Sequence, residues 1–361
     1  MDTAEAALDL WRLAAEAREL PDIAAILTAS ACFAAAHTRL ARTEPGRQFL
    51  ARWDGYMFRH GHHTRGEVDV YNPRWSERPD YVLDLLRGYL VGMGTVDALA
   101  LREQRRAERT TLVTDCRRRL GHPLLRLAFD FVICKAQRGL ALRENFKSEA
   151  VRAIAVARRV LLELGQRLAR RGVLRDPDDV FFLDLAELEP VQAGRATFDV
   201  AATIATRRAE HARNRQLTPP PVIIGRFNPD RATSVLPPTA IPGGSRSGPP
   251  SELRGLAVSP GLVTGRARVI LRSDGEERVL PGEILVAPFT DPGWTPYFLT
   301  AAAVVMDMGG MLSHGSIVAR EYGLPAVVNV GPATQLISTG QWLEVDGNRG
   351  VVRLLGPTPG P

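Results

Sequence analysis

Near its C-terminus the chain reads Gly309-Gly310-Met311-Leu312-Ser313-His314-Gly315-Ser316-Ile317-Val318-Ala319-Arg320-Glu321. The apolar run Ala303-Val304-Val305 just before it reads as a strand, and the two glycines as a tight loop needing unusual backbone angles. Ser313 is a good N-cap residue, Ile317, Val318 and Ala319 begin a short helix, and Gly323 and Pro325 stop it. His314 thus falls on the first turn of a helix in a strand–loop–helix unit. The free N–H groups and positive dipole end of such a helix favour an anion. A neutral imidazole there can attack a phosphoryl group, whose oxygens the surrounding N–H groups then hold. Taken alone, Ser-His-Gly reads equally as a helix-start histidine with a local hydrogen bond.

The neighbouring motifs decide between these. Thr290-Asp291-Pro292-Gly293-Trp294-Thr295-Pro296 lies upstream, Leu324-Pro325-Ala326-Val327-Val328 and Val345-Asp346-Gly347 follow, and Ser259-Pro260-Gly261 with Gly265-Arg266-Ala267 opens the segment. This ordered set resembles the swivelling phosphohistidine domain of the phosphoenolpyruvate-utilising enzyme family, closest to its rifampin phosphotransferase-like and phosphoenolpyruvate synthase-like branch. The resemblance makes His314 the phosphate carrier and Gly309, Gly310, Ser313, Ser316 and Arg320 its phosphate loop. The family often has Ala where this chain has Gly315, and an apolar residue in place of Tyr297.

At 361 residues the chain has room for about two domains. A 45% hydrophobic and 24% charged composition is that of an ordinary globular protein. The net charge of +6 comes largely from arginines spread over helical stretches, as in Arg117-Arg118-Arg119. Solvated helix faces account for them more simply than a nucleic-acid surface, and an anionic ligand accounts for part. Cys32, Cys116 and Cys134 have no metal or redox spacing, and the start is acidic and Ala-rich. A reduced, cytoplasmic location is the simplest expectation. No apolar run is long enough for a membrane span.

Helical periodicity runs over residues 3 to about 44 with Pro21 as punctuation, over 46–61, over 79–94 and over 95–174. Arg175-Asp176-Pro177 reads as a turn into a short strand or extended segment ending at Leu183, and a further helix is expected around Phe198–Asn214. From residue 253 the pattern becomes strand-like: 253–259, 263–271, 284–287, 302–306, 326–330, 342–345 and 351–354. The expected architecture is α+β and multidomain. An all-α substrate-binding domain (1–216) leads through a Pro/Gly-rich linker (217–252) to a β/α swivelling domain (253–357).

Two polar stretches of the helical part carry chemistry. The loop His60-Gly61-His62-His63-Thr64-Arg65-Gly66-Glu67-Val68-Asp69, continuing to Trp75, crowds histidines, arginine and acids. Such density suits a pocket built on a helical scaffold, with a plain solvated loop as the alternative. The substrate-binding candidates are His60, His62, Arg65, Glu67, Asp69 and Trp75. A metal on His60, His62 and Glu67 matches no standard spacing, so no metal is expected. In the second stretch, Leu142-Arg143-Glu144-Asn145-Phe146-Lys147, a helix stacks Arg143 and Lys147 on one face. That is otherwise a surface cationic face. The family resemblance, which pairs the histidine loop with a Gly-Glu segment and supplies an Arg-Glu-x-x-Lys segment, implies that Arg143 and Lys147 act with His314 in catalysis. Both cations suit the oxygens of a transferring phosphoryl group.

The expected function is therefore a phosphotransferase subunit. A separate ATP-grasp subunit, binding most of the ATP and Mg2+, would phosphorylate His314, since no nucleotide-binding segment is recognised in the sequence; the alternative is that the chain is a fragment of a longer enzyme. His314 would pass the group to a small-molecule acceptor in the helical domain. The product would be a phosphate ester or an activated intermediate for dehydration or condensation. The alternative is a phosphocarrier or regulatory binding module without a substrate of its own. Neither nucleic acid nor membrane is expected as a partner.

Overall fold

The computed structural model describes residues 2–64, 66–92, 98–215, 251–272, 279–291 and 294–356. Arg65, the Pro292-Gly293 pair and nearly all of the 217–252 linker lie outside these residues.

Two compact units emerge. The first comprises the described residues of Met1–Glu67, Asn72–Val151 and Arg246–Pro361. Its N-terminal helices are α1 (Asp2–Arg18), α2 (Pro21–Ala29), α3 (Phe33–Leu40), α4 (Glu44–His60), α5 (Pro79–Gly92) and α6 (Ala98–Arg119). Pro21 and Pro45 sit in the first turns of α2 and α4, where a missing N–H costs nothing. Thr43 caps α4 through the Gly46 N–H at 3.1 Å. Leu8, Leu10, Leu27, Leu40, Trp53, Leu83, Leu86 and Tyr89 turn inward as one core. The 48-residue α7 (Pro123–Arg170) begins in this unit and ends in the second.

The β/α segment contributes β1 (Glu252–Arg254), β2 (Leu256–Ser259), β3 (Leu262–Val269), β4 (Ile284–Ala287), β5 (Ala303–Met306), β6 (Ala326–Val328), β7 (Trp342–Asp346) and β8 (Val351–Leu354). Gly255 splits the single run read at 253–259 into two strands that end up on opposite edges. The sheet order is β1-β8-β7-β3-β4-β5-β6-β2. Its centre, β3 to β6, is parallel, and the flanking pairs are antiparallel. The four residues of β4 and of β5 are all buried, as a parallel strand covered on both faces requires. One face packs Leu285, Ala287, Val304 and Met306 into the same core as the N-terminal helices. There α10 (Thr295–Thr300) lies against α5, and α11 (His314–Tyr322) against α6. The other face packs Ile284, Val286, Val305 and Val345 with α12 (Ala333–Leu336). The α+β class is as expected from the sequence.

The second unit holds residues 68–71 and the described part of 152–245. Here the expected extended segment before Leu183 is a 3-10 helix, Pro177–Phe182. Asp176 and Asp179 close a capping box around Pro177, and this local chemistry outweighs the strand propensity of Val180-Phe181-Phe182. Leu185–Gln192 forms α8, which the sequence reading passed over, and Val200–Asn214 forms α9. Leu168, Leu174, Val180, Phe182 and Ile204 make this unit's own core. Gly165 faces the 3-10 helix so closely that a Cβ would stand 2.1 Å from the Pro177 carbonyl oxygen. Backbone cannot yield as a side-chain tip does. Gly165→Ala is expected to destabilise this unit by about 1–3 kcal/mol, seen as an earlier transition in thermal unfolding while the circular dichroism of the folded chain is unchanged.

Candidate functional site

The loop from β5 to α11 is built by backbone bonds and a set of side-chain bonds. Asp307 accepts from the Thr334 N–H at 2.8 Å and from its hydroxyl, tying the strand end to α12. Neither Gly309 nor Gly310 adopts a left-handed conformation, contrary to the expectation of unusual angles. Gly309 is needed for space, since a Cβ would meet Val328 Cβ at 3.0 Å and Ser313 Oγ at 3.2 Å. Ser313 occupies the N-cap position with extended backbone, but its hydroxyl does not cap. It donates instead to the Gly310 carbonyl at 3.0 Å and lies 2.9 Å from Ser316 Oγ, which also reaches Gly310 O at 2.8 Å. The first-turn N–H groups of α11 are thus left uncapped by Ser313. Gly323, left-handed at φ 63°, ends the helix as expected.

Arg320 braces this loop. Its guanidinium donates to the Val258 carbonyl at 3.2 Å and to the Met311 carbonyl at 2.5 Å. Gly315 is enclosed: a Cβ would come 2.4 Å from Thr290 Oγ1 and 2.6 Å from Met306 Cε. An Ala in this place requires Met306 to repack.

His314 is half-buried, but both ring nitrogens are shielded from solvent and have no hydrogen-bond partner. Burial, and then the positive charge of Lys147, push the imidazole down to about 3, against the opposing pull of Glu67. The ring is therefore neutral at physiological pH, the form that carries a nucleophilic lone pair. The charges acting on it belong to Lys147, Glu67 and His63.

These three form a linked cluster. Glu67, only 8% exposed, accepts from Lys147 Nζ at 2.8 Å through one oxygen and contacts His63 Nδ1 at 2.7 Å through the other. Burial works to raise its pKa, but the bonds and charges of His63 and Lys147 outweigh it and hold the carboxyl at about 2. An ionised carboxylate only accepts, so Nδ1 of His63 carries the proton that is donated to it. His63 Nε2 is buried with no partner. The His63 ring lies 4.2 Å from that of His62 and 5.3 Å from Trp75, measured between centroids.

Of the residues singled out in the sequence, His314, Lys147 and Glu67 come together here. Trp75 and His62 line the same cluster through His63, and His62 Nε2 lies 3.4 Å from Ser148 Oγ. His60 turns the other way, to Asp9 at 2.9 Å, where Asp9 also takes Arg59. Asp69 accepts from the Tyr71 N–H at 2.9 Å in the short 68–71 segment of the second unit. Arg143 reaches the buried carboxylate of Glu144 at 2.5 Å while its side chain stays half exposed. Among the described residues no group of three His, Cys, Asp or Glu side chains is arranged to hold a metal ion. No described helix is long and apolar enough to cross a membrane. His63 is not among the residues expected from the sequence. Its signal was the four-residue spacing to Glu67, which reads as a carboxylate–imidazole pair once one turn of chain is compact.

The fold and loop together define a class: a β/α segment presenting a histidine at a helix start, packed on a layer of helices. Residues 1–144 match the rifampicin phosphotransferase fourth domain, and residues 279–350 match the mobile domain of PEP-utilising enzymes. The chain belongs to the phosphoenolpyruvate-utilising enzyme family and carries helices of its rifampicin phosphotransferase type. It is 32% identical over 326 residues to a rifampicin phosphotransferase of Streptomyces sviceus, covering 88% of this chain and 36% of that protein. It is 34% identical over 310 residues to the prodigiosin synthesizing transferase of Serratia marcescens, covering 83% and 33%. It is also 32% identical over 381 residues to the chondramide synthase of Chondromyces crocatus, covering 98% and 9%. The chain thus spans about a third or less of the length of these relatives.

Proposed function

We propose that the chain is the acceptor and carrier part of a phosphotransferase, with His314 as the phosphoryl carrier. One observation supports this most: a neutral imidazole with two unpartnered nitrogens at the start of α11, beside a lysine whose ammonium is already positioned. An ATP-grasp unit, on a separate subunit, binds ATP and Mg2+ and phosphorylates His314. The nucleotide chemistry belongs to that unit. In this chain the α11 N–H groups hold the phosphoryl oxygens on His314. Lys147 neutralises the group as it transfers to a small-molecule acceptor over the helical layer. Arg143, one turn back on the same helix, adds a second cation by leaving Glu144. Exposed Leu142 and Phe146 stand beside these two cations on α7 and suit an acceptor with an apolar body. The relatives' names, which include an antibiotic phosphotransferase and a pigment-synthesising transferase, support an acceptor from natural-product chemistry. The product is a phosphate ester or an activated intermediate.

The test is intact mass and acid-labile phosphate after incubation with Mg-ATP, with and without an ATP-grasp protein of this family added in trans. One acid-labile phosphate that requires the added protein and maps to the His314 peptide is the expected result. No label in the presence of a demonstrably active ATP-grasp protein overturns the reading in favour of a binding module.

A further inference from the structure

Phosphoryl transfer from an imidazole to a hydroxyl leaves a proton to be removed, because the attacking oxygen becomes part of a phosphate ester. The described cluster offers few places for it. Lys147 is a cation held on Glu67. Glu67 is a carboxylate occupied on both oxygens and too weak a base for a hydroxyl at neutral pH. His60 is engaged by Asp9, and His62 by Ser148. His63 is different. Its Nδ1 is fixed by Glu67 at 2.7 Å, its ring is clamped between His62 and Trp75, and it is 4% exposed. Its Nε2, shielded from solvent, meets no partner. A carboxylate bonded to one imidazole nitrogen fixes the tautomer and aims the other nitrogen's lone pair, which is how a general base is prepared.

We infer that His63, oriented by Glu67, is the general base that takes the proton of the acceptor hydroxyl as the phosphoryl group leaves His314. The inference rests on the carrier reading of His314. In the step, the acceptor oxygen forms a bond to phosphorus while the P–N bond to His314 breaks. The electron pair of that bond returns to the His314 ring, and the hydroxyl proton moves to His63 Nε2. The resulting imidazolium faces the Glu67 carboxylate, and its proton passes to water once the product has left. Glu67 is then a positioning residue that orders two groups at once, the base through His63 and the cation through Lys147.

The experiment loads His314 of the full chain with potassium phosphoramidate, which phosphorylates imidazoles without a nucleotide. Phosphorus NMR then follows the loss of acid-labile phosphate to water and to added ethanol. Wild type is compared with His63→Asn, whose amide N–H can still donate to Glu67 but which has no basic nitrogen. The expected result is equal loading and at least a ~10²-fold slower loss in the variant. The rate in the variant is also expected to depend less on pH than the rate in the wild type. Glu67, Lys147, His60, His62 and His314 surround the ring in both proteins, so only the His63 contribution differs between the two profiles. Equal rates with the same pH profile overturn the inference and leave the carrier reading standing. A wild type that takes no phosphate on His314 overturns the carrier reading and this inference with it. Should the Asn variant show altered near-ultraviolet circular dichroism, His63→Gly with imidazole in solution replaces it. Recovery of the rate on adding imidazole supports the base, and no response to imidazole overturns it.

Discussion

His314→Asn is expected to take up no acid-labile phosphate under conditions that label the wild type to one equivalent, and to be more resistant to mild acid. Both effects come from the same ring. The first is a loss of the nucleophile, for which no other described side chain on the α11 loop substitutes: Ser313 and Ser316 have their hydroxyls on Gly310. The second follows from linkage. The folded imidazole stays neutral until about pH 3, whereas in the unfolded chain it protonates near its ordinary value. Between those two values the unfolded state binds the extra proton. Stability is therefore unaffected by this group above about pH 6.5 and declines as pH falls through the window below it. At pH 5 the cost is about 2 kcal/mol, a few degrees in Tm. Calorimetry at pH 7.5 and pH 5 checks this. The wild type should lose more Tm between the two than the Asn variant does, and equal losses would place the ring in water.

Glu67→Ala is expected to be strongly destabilising, costing about 3–5 kcal/mol. Removing the carboxylate leaves an ammonium and an imidazole without the buried charge that both were arranged around. The sign of its pH dependence is opposite in origin to that of His314. Glu67 has a depressed pKa, so its contribution is complete above about pH 4.5 and is lost as pH falls through about 2. The measurement is chemical denaturation of wild type, Glu67→Ala, Lys147→Met and the double variant at pH 7. If the pair is coupled, the double variant costs less than the sum of the two single changes. Strict additivity would show that the 2.8 Å contact carries no energy.

The fold class was legible because its elements carry short-range signals. Ile284–Ala287 and Val351–Leu354 are apolar runs bounded by turn residues, and the helices of the first sixty residues show their apolar spacing plainly. The 3-10 turn at Pro177–Phe182 was read as extended because its aromatic and β-branched residues outvoted two aspartates, whose capping becomes decisive only in three dimensions. Gly309 and Gly310 were assigned special angles because glycine in a loop usually signals them. One of the pair is instead a matter of clearance from Val328. At the site, the histidine-rich loop was visible as a dense polar stretch, but its internal division was not. Which of three neighbouring histidines faces Asp9, Ser148 or Glu67 depends on groups 51, 86 and 4 residues away. Only the last is local.

Under the carrier reading of His314, the core shared by the sheet and the N-terminal helices would supply an optical signal for movement of the carrier. Trp294, 1% exposed at the head of α10, is packed in that core where α10 meets α5, whereas Trp53 is buried among the helices themselves. If His314 travels to an ATP-grasp unit, α10 leaves α5 and the Trp294 indole moves from hydrocarbon to water. Its emission shifts to the red and iodide reaches it, while Trp53 stays dark to the quencher. Carrier departure can then be timed in a stopped-flow fluorimeter with the chain's own chromophore.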